Sequence, residues 1–79
     1  MMEVNKFKER AQVIINEKYA LLSRLDEKTI ELMQQSDYNM KNYLEAYVSD
    51  DELKKISERL DELAVEHKYL MQIVRKLVI

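Results

Sequence analysis

The segment from Leu53 to Leu77, LKKISERLDELAVEHKYLMQIVRKL, decides the fold of this chain. Its large apolar residues follow one another at alternating steps of three and four, and one histidine occupies a position in the series. This spacing is the a/d pattern of a heptad repeat, which predicts a helix packed lengthwise against other helices. We refer to the series as the seam and predict that it forms an interface; its members are Leu53, Ile56, Leu60, Leu63, His67, Leu70, Val74 and Leu77.

Local signals mark the beginning of this helix. Ser49 stands three residues before Glu52, which is the spacing of a capping box, and Val48 and Leu53 hold the two positions of a hydrophobic staple. Acidic residues fill the first turn and basic residues the last, so both ends suit the helix dipole. The sequence therefore predicts a helix from about Asp50 to the last residues.

The length and composition indicate one small helical domain that needs a partner. The 79 residues leave room for a single domain, which we predict to be a helical hairpin spanning 1–79. The chain contains no Gly and no Pro, and 47% of its residues are hydrophobic and 35% charged, which suits a helical assembly. Because Cys is absent, neither disulfides nor thiolate metal sites can stabilise it. We therefore expect self-association, in the simplest case a dimer.

The first half of the chain predicts a second amphipathic helix, since apolar residues recur at helical spacing from Val4 to Met33. Polar residues then interrupt the pattern at Gln34–Asn39, and two interpretations follow. In the first, one long helix continues to about Tyr47. In the second, the chain forms three helices, with a short middle helix over about Tyr38–Tyr47.

We favour the first interpretation, an all-α antiparallel hairpin of two long helices. The chain would reverse at Val48–Ser49 through a connection of only a few residues, which makes the helices antiparallel neighbours. The first arm would then be longer than the second and would leave an overhang of apolar surface. A second hairpin would cover this overhang and complete a four-helix bundle.

The charge distribution argues against several classes of partner. Residues 1–35 are neutral overall, residues 36–52 carry −4 and residues 53–79 carry +2, so the chain lacks the general basic field that drives nucleic-acid binding. The chain has no apolar run long enough for a membrane span, and Glu3 and Asn5 do not suit a signal peptide. We expect a cytoplasmic protein without cofactor or metal, and the apolar C-terminal end would also suit a piece of a longer protein.

Two segments are candidate surfaces for a protein partner. The first is the acidic segment Tyr38–Tyr47, in which Tyr43 and Tyr47 share a helix face and could receive a basic partner. The second is the C-terminal run, which is apolar on more than one face. Its apolar residues are Tyr69, Leu70, Met71, Ile73, Val74, Leu77, Val78 and Ile79.

Two single residues require an interpretation of their own. Phe7 lies among basic residues, and we favour a core position over nucleic-acid contact because acidic neighbours dilute the charge. His67 has no second His, no Cys and no Glu three residues before it, so a metal site is not predicted. We interpret His67 as a partly buried residue that sets register or pairs across an interface.

The segment Val48–Leu63, VSDDELKKISERLDEL, resembles the second helix of the small sporulation-regulatory aspartyl-phosphate phosphatases of bacilli. The Ser-Gln-Glu-Leu-Asp motif of that family is matched at Ser57, Leu60 and Asp61, with Glu and Arg at the two positions between. The resemblance implies a helical hairpin in which Ile30–Tyr47 supplies the first helix. It also implies that Ser57 and Asp61 dock at the phosphorylated aspartate of a response regulator, whose own Mg²⁺ site completes the chemistry.

From the seam we predict a non-enzymatic interaction or assembly module. The resemblance offers an alternative function, hydrolysis of the phosphoaspartate of a response regulator, with Ser57 and Asp61 as its site residues.

Overall fold

The computed structural model describes the backbone of residues 2–78 and the side chains of residues 5–77. All regular structure in these residues is helical, in three helices: α1 is Met2–Gln35, α2 is Met40–Ser49 and α3 is Asp51–Val78. The predicted all-α class is confirmed, and the three-helix interpretation fits. The prediction of one helix continuing to Tyr47 is wrong. The side chains of Val4, Val78 and Ile79, which the sequence assigned to apolar faces, lie outside the described residues.

Helix α1 ends in a left-handed turn without the glycine that usually forms it. The Tyr38 N–H donates to the Met33 carbonyl over 2.9 Å, and the Asp37 N–H donates to the Gln34 carbonyl over 3.1 Å. This bond pair is the Schellman motif, which requires positive φ after the helix. Asp37 has φ 52° and Tyr38 has φ 60°, a conformation that only the aspartate tolerates readily. The break that the three-helix interpretation places at Gln34–Asn39 is therefore present.

Helix α2 folds back along the end of α1. Asn39 caps its beginning, because the Asn39 side-chain oxygen accepts the Asn42 N–H over 3.0 Å. The 34 residues of α1 span about 51 Å at about 1.5 Å per residue, and the whole molecule is 54 Å long. Since α2 contacts α1 and cannot extend it, the chain reverses between α1 and α2. The predicted reversal at Val48–Ser49 is wrong, and so is the predicted overhang of the first arm.

A single residue, Asp50, separates α2 from α3. Its backbone is extended (φ −79°, ψ 119°), and its Oδ1 accepts the Leu53 N–H over 2.9 Å. Its Oδ2 lies 3.4 Å from the Lys28 Nζ, which ties the junction to α1. The predicted capping box is wrong, because the Ser49 hydroxyl instead donates to the Glu45 carbonyl of α2 over 2.8 Å. The hydrophobic staple is absent too, since Val48 is 82% exposed.

Helices α1 and α3 run antiparallel and enclose the core. Ile14 of α1 packs with Leu63 and Leu70 of α3, and Phe7, Leu21 and Met71 lie partly buried against this cluster. The buried apolar residues are Ala11, Ile14, Leu32, Leu53, Ile56, Leu63 and Leu70. Half of the seam is therefore buried within the single chain, and Leu63 and Leu70 pack against Ile14 of α1. Of its other members, Leu60, His67 and Val74 are half-buried and Leu77 is exposed.

The turn after α1 yields a stability prediction. Asp37→Gly should raise the free energy of unfolding by about 0.5–1 kcal/mol, because glycine adopts positive φ without the clash that a Cβ causes. Urea denaturation followed by circular dichroism measures the change. Asp26→Gly, the same substitution at an exposed helical position of α1, should lower stability instead. A loss of stability in both variants would contradict the turn geometry.

Candidate interaction surface

Charged residues recur every seven positions along one flank of the α1/α3 contact. On α1 their signs alternate as Arg, Glu, Arg, and on α3 the opposing residues alternate in the complementary order. Because the helices are antiparallel, each charge meets an opposite one. We call these contacts the ion-pair ladder; its pairs are Arg10–Glu66, Glu17–Arg59 and Arg24–Glu52.

Two of the three ladder contacts are paired hydrogen bonds. Arg59 donates to both Glu17 oxygens, through Nε over 2.6 Å and Nη2 over 3.0 Å. Arg10 donates likewise to Glu66, over 2.6 Å and 2.9 Å. This paired geometry is a strong form of contact between arginine and carboxylate. Arg24 differs, because its Nη2 donates to Glu52 Oε2 over 3.1 Å and lies 2.6 Å from Oε1 without a hydrogen bond to it.

The ladder shifts the pKa values of its members. The hydrogen bond from Arg59 holds the pKa of Glu17 below its ordinary value, and the bond from Arg10 does the same for Glu66. The bond to Glu17 raises the pKa of Arg59. Since the two carboxyl pKa values are lower in the folded state, their stabilisation is complete above the unfolded value of about 4.5. It is lost as the pH falls through the folded values.

The ladder contributes more to the register of α3 along α1 than to the stability of the fold. Its side chains are roughly 36–44% exposed, so water screens their attraction. A slip of α3 by one heptad would place Arg10 opposite Arg59 and Glu17 opposite Glu52, and both contacts would become repulsive. The ladder was not predicted from the sequence, where Glu52 was assigned to a capping box. The seven-residue spacing of alternating charges on both helices was the signal that could have revealed it.

The opposite flank of the α1/α3 contact is apolar and exposed. At about 100° per residue, Ile15 and Leu22 lie roughly 140–160° around α1 from the ladder. With Lys18 and Tyr19 they line a shallow open groove of about 270 Å³. Tyr19 is 70% exposed and Leu22 45% exposed. We call Ile15, Tyr19 and Leu22 the apolar edge.

His67 lies where the apolar edge meets α3. It is half-buried, and its Nδ1 lies 3.4 Å from the Lys18 Nζ. The seam histidine thus contacts a polar residue of the other helix in the same chain. Among the described residues, no group of His, Cys, Asp and Glu side chains could hold a metal ion.

Helix α2 carries a second exposed apolar surface. Met40, Leu44 and Val48 recur every four residues, and each is more than half exposed. We call these three residues the α2 stripe. Tyr43 and Tyr47 lie on another face, half-buried, with ring centroids 6.0 Å apart in an edge-to-face arrangement. Within the segment Tyr38–Tyr47, the surface open to a partner therefore includes Tyr38, Met40 and Leu44, whereas the Tyr43–Tyr47 pair is half-buried.

The two residues singled out by the phosphatase resemblance lie together. Ser57 and Asp61 are exposed, one turn apart on α3, and both line an open groove of about 290 Å³. Tyr47 and Val48 of α2 form part of the same groove. The arrangement offers a hydroxyl and a carboxylate beside an apolar wall.

Some residues of the remaining candidate surfaces are buried or paired within the chain. Phe7 packs against the core, and the nearby Arg10 is held in the ladder, so the basic cluster around Phe7 is reduced. In the C-terminal run Leu70 is buried, whereas Tyr69 and Leu77 are largely exposed. Across residues 2–78, none of the helices has the length and apolar character that a membrane crossing requires.

Comparison of the chain with protein families, curated proteins and solved structures found no match. The function of the protein must therefore be inferred from its surfaces. The apolar edge, the α2 stripe and the groove at Ser57 and Asp61 are the three that could receive a partner.

The ladder predicts a charge-exchange effect. Glu17→Arg and Arg59→Glu should each lower the urea midpoint, because each places like charges opposite one another. The double variant Glu17→Arg/Arg59→Glu should recover part of the loss, because it restores an opposite pair.

Double-variant analysis of urea unfolding measures this coupling. Glu58→Arg is the control, since Glu58 is exposed on α3 and outside the ladder. It should leave the midpoint nearly unchanged. Additive losses in the double variant would show that Glu17 and Arg59 do not interact in solution.

Proposed function

We propose that this protein is a non-enzymatic assembly module that self-associates through its apolar edge. Two α1/α3 pairs would pack together as a four-helix bundle, each pair contributing Ile15, Tyr19 and Leu22. The observation that carries the proposal is the asymmetry of the α1/α3 contact, which has paired charges on one flank and exposed apolar side chains on the other.

The exposed area supports a second copy as the occupant. The chain exposes 6270 Å², whereas a compact monomer of this length exposes about 5,000 Å². The excess of about 1,200 Å² exceeds the roughly 800 Å² that each partner buries in a standard stable interface. Packing a second copy against the long side of a body measuring 54 × 18 × 15 Å would bring the exposed area towards that of a compact protein.

The energetics favour the apolar edge over the ladder flank. Burial of apolar surface contributes about 25 cal/mol per Å², whereas burial of charged pairs carries a desolvation penalty that often exceeds their attraction. The seam takes part in this proposal through its half-buried members. Leu60 and Val74 stand one heptad on either side of His67, so they share its face and would contact the second copy.

Two exposed surfaces remain for a partner other than a second copy. The α2 stripe and the exposed residues of the C-terminal run are the surfaces we assign to a different protein, if the dimer serves as a scaffold. The α2 stripe lacks the basic character needed for nucleic acid, and the chain as a whole carries a net charge of −2. A cytoplasmic location is supported by the sequence pattern alone.

Self-association should be visible at micromolar concentration. Sedimentation equilibrium should give a dimer or larger species for the parent chain. Leu22→Asp should shift it towards monomer, because a charge on the apolar edge would have to be desolvated in the bundle. Since Leu22 is 45% exposed in the single chain, helicity by circular dichroism should persist.

A matched control distinguishes an effect specific to the apolar edge from the general effect of adding a charge to the surface. Leu44→Asp introduces the same charge at a comparably exposed leucine of α2, and it should leave the dimer intact. A compact monomeric parent would refute the proposal. Equal disruption by both variants would refute the assignment to the apolar edge.

Phosphatase action on a response regulator is the second candidate function. It is favoured by one observation, that Ser57 and Asp61 are exposed together in a groove bounded by Tyr47 and Val48. In this function the carboxylate and hydroxyl would dock at the phosphoaspartate of the regulator, which supplies its own Mg²⁺ site.

The enzymatic candidate predicts a specific loss of activity. The protein should accelerate the release of labelled phosphate from one member of a panel of phosphorylated response regulators. Asp61→Ala should abolish the acceleration and change stability by about 0.5 kcal/mol or less. Asp26→Ala, at an exposed aspartate far along α1, is the control and should retain it. The absence of acceleration across the panel would exclude this function.

A further inference from the structure

The charges of the molecule are sorted along its length. The ladder shows which parts of α1 and α3 lie level, since Arg10 meets Glu66 and Arg24 meets Glu52. At the end where α1 begins, residues 2–12 and 64–78 contain six basic and three acidic side chains, a net charge of +3. In the middle, residues 13–24 and 52–63 contain five of each sign. At the bend, residues 25–51 contain two basic and seven acidic side chains, a net charge of −5.

The apolar edge lies in the neutral middle third. Ile15, Tyr19 and Leu22 are centred near residue 18, which is also the midpoint of α1. A two-fold axis through this point would place the edge of one copy on the edge of the other. Such an interface is self-complementary, as a symmetric dimer requires.

We propose that two copies pack antiparallel, so that the basic end of each lies beside the acidic bend of the other. This orientation rests on the proposed self-association. In this arrangement +3 meets −5 at both ends of the bundle. In the parallel arrangement +3 would meet +3 and −5 would meet −5. The ends are about 30 Å apart along the helix axis at about 1.5 Å per residue, which exceeds the screening length of about 8 Å in physiological salt. Each end therefore interacts with the charges packed beside it and not with the remote end.

The internal structure of each copy does not already decide this orientation. Because α1 and α3 run antiparallel within one chain, their helix dipoles largely cancel. The three ladder pairs are already matched inside each copy. The unmatched charges at the two ends are what remains to distinguish parallel from antiparallel packing.

Cysteine cross-linking can measure the orientation directly, because the chain has no native cysteine. Lys8 and Ile30 are exposed on the same side of α1 as the apolar edge, near its opposite ends. Antiparallel packing would bring position 8 of one copy level with about position 29 of the other. Parallel packing would leave positions 8 and 30 about 33 Å apart along the axis, at about 1.5 Å per residue.

The experiment mixes full-length Lys8→Cys and Ile30→Cys proteins with a bismaleimide of about 10 Å span and identifies the products by mass spectrometry. Antiparallel packing should yield the mixed Lys8→Cys/Ile30→Cys product and little of either homodimer. Homodimeric products, or no product in a sample that sediments as a dimer, would overturn the antiparallel arrangement.

Salt provides an independent readout on the unmodified chain. If opposite charges meet, the dissociation constant should rise by about tenfold between low and high salt, whereas like-charged ends would make it fall. A dimer that tightens with salt would overturn the orientation and leave self-association standing. A monomer at every salt concentration would instead refute the self-association on which the orientation depends.

Discussion

The packing of α3 against α1 around Ile14, Leu63 and Leu70 is the contact on which the rest of the molecule depends. Two helices can bury only the stripe along which they touch, and each flank of that stripe stays open to solvent unless something covers it. The two flanks of the α1/α3 contact differ in chemistry. Paired charges occupy one flank, and aliphatic and aromatic residues occupy the other, which makes the pair of helices one-sided.

The absence of glycine shapes the connections that bring the two helices together. The chain leaves α1 through two non-glycine residues with positive φ, Asp37 and Tyr38, and turns back at once into α2. Asp50 then redirects the chain by one extended residue, and its carboxylate both caps α3 and faces Lys28. The Leu53 N–H bond to this carboxylate is the main reason that the pKa of Asp50 is lowered. The same residue thus ends one helix, begins the next and anchors both to α1.

Much of the fold could be predicted from the sequence, and the errors have physical causes. The seam spacing correctly predicted α3, whereas the break after α1 at the polar residues 36–39 was only the alternative to one long helix. The capping signal was misassigned by one residue because Ser49 and Asp50 are both good caps. The carboxylate also has Lys28 within reach, a tertiary contact that no local pattern reveals. The position of the reversal was wrong for a similar reason, because the absence of glycine concealed a left-handed turn at Asp37.

The surfaces were harder to predict than the helices. The heptad spacing of Leu53 to Leu77 specifies that α3 packs on a helix, but it does not specify whose helix, and α1 of the same chain covers much of it. The apolar edge was hidden because Ile15 and Leu22 belong to the same series of apolar residues at helical spacing as the core residues of α1. Only the placement of the ladder on the other flank shows that these residues stand outside the contact.

Folding and assembly would be coupled in such a molecule. The described core contains seven buried apolar residues, which is small for an independent domain, so a partner that binds only the folded state would raise its stability by mass action. The charges would then have two separate roles. Within one copy, the alternating ladder penalises a slip of α3 along α1. Between copies, the sorted charges at the two ends would select among orientations that the apolar edge alone permits equally. In this proposal apolar contact would supply the association in both cases, and charge would decide its geometry.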